Sequence, residues 1–276
     1  MKDRVRSLLL MLAALGMATA LPAPAQAFSP KALEKTLRAR WVGRARVLRG
    51  FPLEDSLSVD QNGKLLKPVA TGDWTESYFQ IEGVSVGRRD IKLKGSRVIA
   101  VFVKGDKGHP STFKLFDVPQ TLIAIDVKVD PASLDGAAIA RLERGLFFGD
   151  IANLVAAVPK YWQAYLAPAA SPPNNPFAGL PNAWYVQAYP TPLHDPDPIY
   201  SAYAKADSIA GKVVLQGRIG IDGTVSDLRI LQPLGAGLDR QAVQTVRTWR
   251  FRPGIAIYGL PTSVIANFEV NFRPHP

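Results

Sequence analysis

The chain has 276 residues, no cysteine and three histidines, with 33 lysines and arginines against 23 aspartates and glutamates. Without cysteine there are neither disulfides nor thiolate metal sites, so an exported form must rely on packed cores, and the length allows two of them. The formal charge of +10 suits anionic envelope surfaces or acidic partner segments, and a solvated surface explains it equally well.

Lys2, Arg4 and Arg6 precede an apolar run from Leu8 to Ala20, and Ala25-Gln26-Ala27 forms a small-x-small pattern before Phe28. This is the layout of a secretory signal peptide. The run is interrupted by Pro22 and Pro24 and falls short of the roughly 20 residues that span a bilayer. Residues 1–27 are therefore expected to be a signal peptide that sends the protein to the periplasm or cell envelope. The alternative is an uncleaved segment anchoring it in the inner membrane. Export argues against nucleic acid as a partner.

Residues 28–166 read as a β-rich α+β domain. Ser29-Pro30 starts a short basic helix through about Arg38. Lys31, Lys35, Arg38, Arg40, Arg44, Arg46 and Arg49 make the densest positive stretch, although their stride need not place them on one face. Strands are expected at Trp41–Leu48, at Leu57–Asp60 and Lys64–Val69 around the hairpin signal Asn62-Gly63, and at Tyr78–Val86. Further strands are expected at Asp90–Lys94, Arg97–Lys104, Thr112–Phe116 and Thr121–Val129, ended by Asp130-Pro131. Leu134–Leu146 and Asp150–Leu166 read as helices, the second bent or interrupted at Pro159. Strands followed by helices argue an α+β arrangement.

Residues 167–198 carry nine prolines and read as a semi-rigid linker. Fully extended it would reach roughly 100 Å. Trp184, Tyr185 and Tyr189 suggest that part of it packs on a domain.

Residues 199–273 read as a small β-β-α-β domain with an antiparallel sheet. Val213, Leu215, Ile219 and Ile221 alternate with Lys212, Gln216 and Arg218, and Asp222-Gly223 supplies the turn into a second strand, Val225–Leu231. A slip in alternation between Val225 and Leu228 suggests a bulge. Leu238, Ala242, Val246 and Trp249 make a helical stripe, with Asp239 in the first turn, Arg247 and Arg250 near the last, and Pro253-Gly254 as the stop. Val264, Ala266, Phe268, Val270 and Phe272 alternate with Ile265, Asn267, Glu269 and Asn271 to give a closing strand.

The run Trp249-Arg250-Phe251-Arg252-Pro253, the helix start Leu238-Asp239-Arg240-Gln241-Ala242 and the approach Gly259-Leu260-Pro261, in this order, resemble the C-terminal domain of the TonB energy-transducer family. One departure is Tyr200-Ser201, where members often carry Tyr-Pro. The resemblance implies a domain that works by binding other proteins rather than by catalysis: a protein partner, an outer-membrane receptor or an extended peptide segment among them. Trp249 and Phe251 are expected to be core. The edge of the last strand is the expected partner surface, with Ile265, Asn267, Glu269 and Asn271 flanking the partner. Asp60-Gln61-Asn62-Gly63-Lys64, Lys94-Gly95-Ser96-Arg97-Val98 and Val158-Pro159-Lys160-Tyr161-Trp162-Gln163 resemble a module that precedes this domain in other envelope proteins and implies no activity.

No catalytic constellation is legible. His109, His194 and His275 are expected in loops or tails. His194-Asp195-Pro196-Asp197 lacks a second histidine for a metal, and Gly217, Gly220 and Gly223 sit in a hairpin without the strand-to-helix context of a phosphate loop. No cofactor, metal or enzymatic activity is expected. The first reading is a non-catalytic envelope binding protein, the second an anchored TonB-type energy transducer supporting transport across the outer membrane, and the third a secreted hydrolase with an accessory domain.

Overall fold

The computed structural model describes residues 28–103, 112–167 and 186–273. The leader, His109, the stretch containing Trp184 and Tyr185, and His275 lie outside the described residues.

The N-terminal half opens with α1 (Pro30–Trp41). Ser29 caps it by accepting from the Ala32 N–H, and Leu37 and Trp41 are its buried residues. The helix runs three residues past Arg38, so Trp41 closes it rather than opening a strand. β1 (Ala45–Val47) and β2 (Ser56–Val59) follow. No second hairpin strand forms at Lys64–Val69, where only Leu65 bridges back to Val59. The Asp60 carboxylate closes the turn by accepting from the Asn62 and Lys64 N–H groups, and the turn is seated on backbone: a Cβ at Gly63 would stand 2.7 Å from Gly145 and Leu146. That seat fixes the turn while the chain beyond it, with Pro68, leaves β2.

After a 3-10 turn at Trp74–Glu76 come β3 (Tyr78–Val86), β4 (Asp90–Val103) and β5 (Thr112–Lys128). Four short strands were expected over the last two. Each is continuous, because a register shift between Ser96 and Val98 absorbs the residues around Pro119 as a bulge. α2 (Gly136–Leu146) is capped by Asp135 and α3 (Ile151–Ala157) by Asp150; α4 (Lys160–Leu166) follows the break at Pro159. The sheet order is β1-β3-β4-β5-β2, antiparallel except for the parallel β2–β5 pair. Trp41, Phe79, Ile91, Ile125, Leu142 and Phe147 belong to the core between this sheet and its helices.

The C-terminal half contains β6 (Val186–Ala188), β7 (Thr191–His194), α5 (Ala202–Ala206), β8 (Gly211–Ile219) and β9 (Val225–Gln232). It continues through α6 (Leu238–Thr248), β10 (Arg250–Arg252), β11 (Gly254–Ala256), β12 (Pro261–Thr262) and β13 (Val264–Phe272). The main sheet is antiparallel, ordered β13-β8-β9, with α6 packed against it. The bulge signal is met by register shifts in the β8–β9 pair and a positive φ at Asp227.

Two differences from the sequence reading matter for the site. The helix ends at Thr248 rather than at Pro253, because Arg250–Arg252 pairs with β7. Residues 186–194 are accordingly paired strands rather than extended linker, β6 on β11 and β7 on β10, and His194 lies in a strand rather than a loop. A second core joins the two halves: Trp74, Ile99, Val158 and Trp162 pack in one cluster with Leu215, Ile230 and Phe268.

Candidate strand-edge interface

β13 is the border strand of its sheet. Its buried residues Val264, Phe268, Val270 and Phe272 face α6, while Ile265, Asn267, Glu269 and Asn271 are exposed on the other face. The strict alternation follows from the pleat. The exposed side chains are ordered by the neighbouring strand: Gln216 donates to Asn267 Oδ1 at 3.0 Å, and Lys212 Nζ lies 2.9 Å from Glu269 Oε1. All nine β13 residues are in register with β8, from Val264 opposite Ile219 to Phe272 opposite Gly211. Among the described residues no strand pairs with the far side of β13.

Trp249 and Phe251 are half-buried rather than core. Both rings pack on Phe268, with centroids 6.0 and 5.9 Å away, and both also line an open trough beside β13. The trough's opposite wall is the segment Tyr189–Pro198. Two contacts hold that wall: β7 pairs with β10, and Trp249 Nε1–H donates to the Pro196 carbonyl at 3.1 Å. The hairpin turn at Asp222-Gly223 docks on the same region, since the Phe251 N–H donates to the Gly223 carbonyl and Gly223 has φ +76°, open to glycine at little cost.

The other border of the sheet is engaged. α4 lies against β9, and the chain leaving β9 joins β4, where Gly235 bridges Val101. The Phe102 N–H donates to the Leu234 carbonyl and the Ala236 N–H to the Ala100 carbonyl, each at 2.9 Å.

Residues 196–274 match the family described as Gram-negative bacterial TonB protein C-terminal. The C-terminal domain belongs to that family. Protein TonB of Pseudomonas aeruginosa is 31% identical to this chain over 80 residues, which are 29% of this chain and 23% of that protein. The chain thus spans about a quarter of that relative's length. The solution structure of the Pseudomonas aeruginosa TonB C-terminal domain is 26% identical, covering 32% of this chain and 90% of that one, with a TM-score of 0.24.

Within this TonB domain, Ser201 stands where proline was the expected residue. Its hydroxyl accepts from the Ala204 N–H to cap α5 and donates to the Ala236 carbonyl, a second task that proline could not perform.

The contact between the TonB domain and the N-terminal half is polar as well as apolar, and the sequence reading missed it. Gly237, at φ +75°, opens α6 without a side-chain cap of its own; its N–H donates instead to Thr75 Oγ1 at 3.0 Å. A Cβ on Gly237 would stand 2.2–2.5 Å from the Glu76 carboxyl. Arg240 Nη2 reaches Glu76 at 3.5 Å. Arg97 is fully buried and donates to the carbonyls of Pro52, Glu54 and Glu76, under the Tyr203 ring. Asp73 accepts from Thr75 and from Trp162 Nε1, and Asp239 accepts from the Leu234 and Gly235 N–H groups.

Burial pushes all three carboxyls up: Asp73 above the usual carboxylate range, Glu76 to about 7 and Asp239 to about 8. Asp239 lies in the first turn of α6, as expected, and is fully buried there.

Four arginines of the basic cluster around α1 have partners within the N-terminal half. Arg40 and Arg46 pair with Glu143, Arg38 donates to the Val84 carbonyl, and Arg49 donates to the Arg144 carbonyl while covering the Phe148 ring. His194 and Asp195 are exposed. Among the described residues no helix is long and apolar enough to cross a membrane.

Proposed function

We propose that this is a non-catalytic cell-envelope binding protein. Its TonB domain takes an extended segment of a protein partner as an added strand on the free edge of β13. The observation that carries the reading is the asymmetry of the sheet: β9 has α4 against it, whereas β13 has an unpaired border beside an open trough. Unpaired main-chain groups on such a border are the standard template for β-augmentation. Ile265, Asn267, Glu269 and Asn271 flank the added strand. The relationship to protein TonB supports an envelope setting and a receptor-type partner at the outer membrane. The segment before Phe28 supplies export, and the mature protein works in the periplasm.

The test is amide hydrogen exchange on the full chain with and without an extended, valine- and threonine-rich peptide. New protection is expected along Val264–Phe272 and none along Val225–Gln232. Protection confined to β9, or no protection at all, would sink the reading.

A second reading, an anchored energy transducer, is favoured by the relative's being protein TonB itself. It requires residues 1–27 to be retained. Mass spectrometry of the envelope-derived protein separates the two, because a chain starting at Phe28 has no anchor at that end.

A further inference from the structure

The trough beside β13 has a chemistry of its own. Two cavities, of about 390 and 420 Å³, share Asp195, Trp249 and Glu269 and together follow β13 from Val264 to Asn271. Their outer wall contains Pro190, Pro192, Pro196 and Pro198. The wall's own strand pairing goes to β10, and proline supplies no N–H on its other side, so among the described residues the β13 edge stays open although the wall runs beside it. Trp249, Phe251, Tyr189 and Ile265 give the trough apolar surface beside its polar lining.

Its charge runs against that of the chain. In a protein of formal charge +10, the charged residues lining the trough are Asp195, Asp197, Glu269 and Arg273. Glu269 is bonded to Lys212, whereas Asp195 and Asp197 are exposed on the wall, with no ion pair to another described residue.

We infer that the trough selects extended segments bearing a lysine or arginine placed to meet Asp195 and Asp197, with apolar neighbours laid against Trp249 and Phe251. The inference rests on the strand-edge reading and adds the partner's chemistry to it. Main-chain pairing supplies affinity for any extended segment, and the two wall carboxylates discriminate among segments by charge. Exposed ion pairs are weak and screened by salt, so the expected preference is about three- to tenfold at low ionic strength.

The experiment uses the full chain and two synthetic peptides with the same alternating valine–threonine frame, one carrying a central lysine and the other a glutamate. Affinities are measured by calorimetry at low and high salt, for the native chain and for Asp195→Asn/Asp197→Asn. Both positions are exposed, so the variant is expected to fold. The lysine peptide should bind more tightly to the native chain, and the gap should close in the variant and in high salt. Equal binding of the two peptides, or a preference for glutamate, overturns the charge selection and leaves the strand edge standing. If neither peptide binds, strand-edge docking falls and the charge selection falls with it.

Discussion

Gly237 shows how much one residue can carry when two domains meet at it. Its φ of +75° belongs to the left-handed region, and the space where a Cβ would go is taken by the Glu76 carboxyl. Alanine there would both strain the backbone and displace a buried acid that accepts from the Asp73 N–H at 3.0 Å. Gly237→Ala is expected to cost about 2–4 kcal/mol in chemical denaturation of the full chain. Gly259→Ala is the control: its φ of +77° is similar and nothing lies near its Cβ, so it should cost about 1–2 kcal/mol. Equal losses at the two positions would show that the Glu76 contact contributes nothing.

At the scale of elements, the 3-10 turn at Trp74–Glu76 acts on α6 in place of the helix's own cap. The turn carries a capping box of its own, in which the Asp73 and Glu76 side chains bond each other's ends. Thr75 and Glu76 then meet the start of α6. The groups facing Glu76 are Asp73 from the same turn, Arg97 from β4 and Arg240 from α6; those near Asp239 include Asp73. Because burial raises both carboxyls, the folded state holds their protons more tightly than the unfolded chain does. The stability they confer is complete below their ordinary values of 4.5 and 3.8 and is lost as pH rises through about 7 and about 8. Stability should therefore decline from mildly acid to mildly alkaline pH, and Glu76→Gln should flatten that decline by a few kcal/mol. Denaturation midpoints measured across this range check it; a rising profile would contradict it.

This polar contact was not legible in the sequence, and the reason is separation along the chain. Gly237 and Thr75 are 162 residues apart, and Trp162 and Asp73 are 89 apart. Nothing local marks such pairs. By contrast, β13 could be read residue by residue, since one face is buried and the alternation over Val264–Phe272 is unbroken. The turn at Asp222-Gly223 and the break at Pro159 were legible because the backbone chemistry of those residues acts locally. The early end of α6 was not: Arg250–Arg252 leaves the helix to pair with Thr191–His194, a partner that composition marked as linker. The outward placing of Ile265, Asn267, Glu269 and Asn271 was legible from periodicity. The wall carboxylates Asp195 and Asp197 were passed over as linker polarity, since only the fold brings them beside the strand.

For the whole molecule, the decisive feature is the core shared by the two halves. Val158, Tyr161 and Trp162 pack in one cluster with Leu215, Leu228 and Ile230. Burying large apolar side chains contributes roughly 1.5–3 kcal/mol each, so this contact holds without help from the covalent connection. Proteolytic cleavage between Ala167 and Val186 is accordingly expected to leave the pieces associated, eluting together in gel filtration under native conditions. Separate elution would show that the connection is needed.

Both ends of that proline-rich connection are thus fastened to one body, α4 on one side and β6 on the other. Such a connection joins two fixed points and is not a lever. In a true tether, every added residue extends the distance over which a domain can work. Here each doubling of length would cost only about 0.6 kcal/mol of closure entropy and move neither half. Its length is free to drift, and the working range of the TonB domain is set by the body to which it is joined.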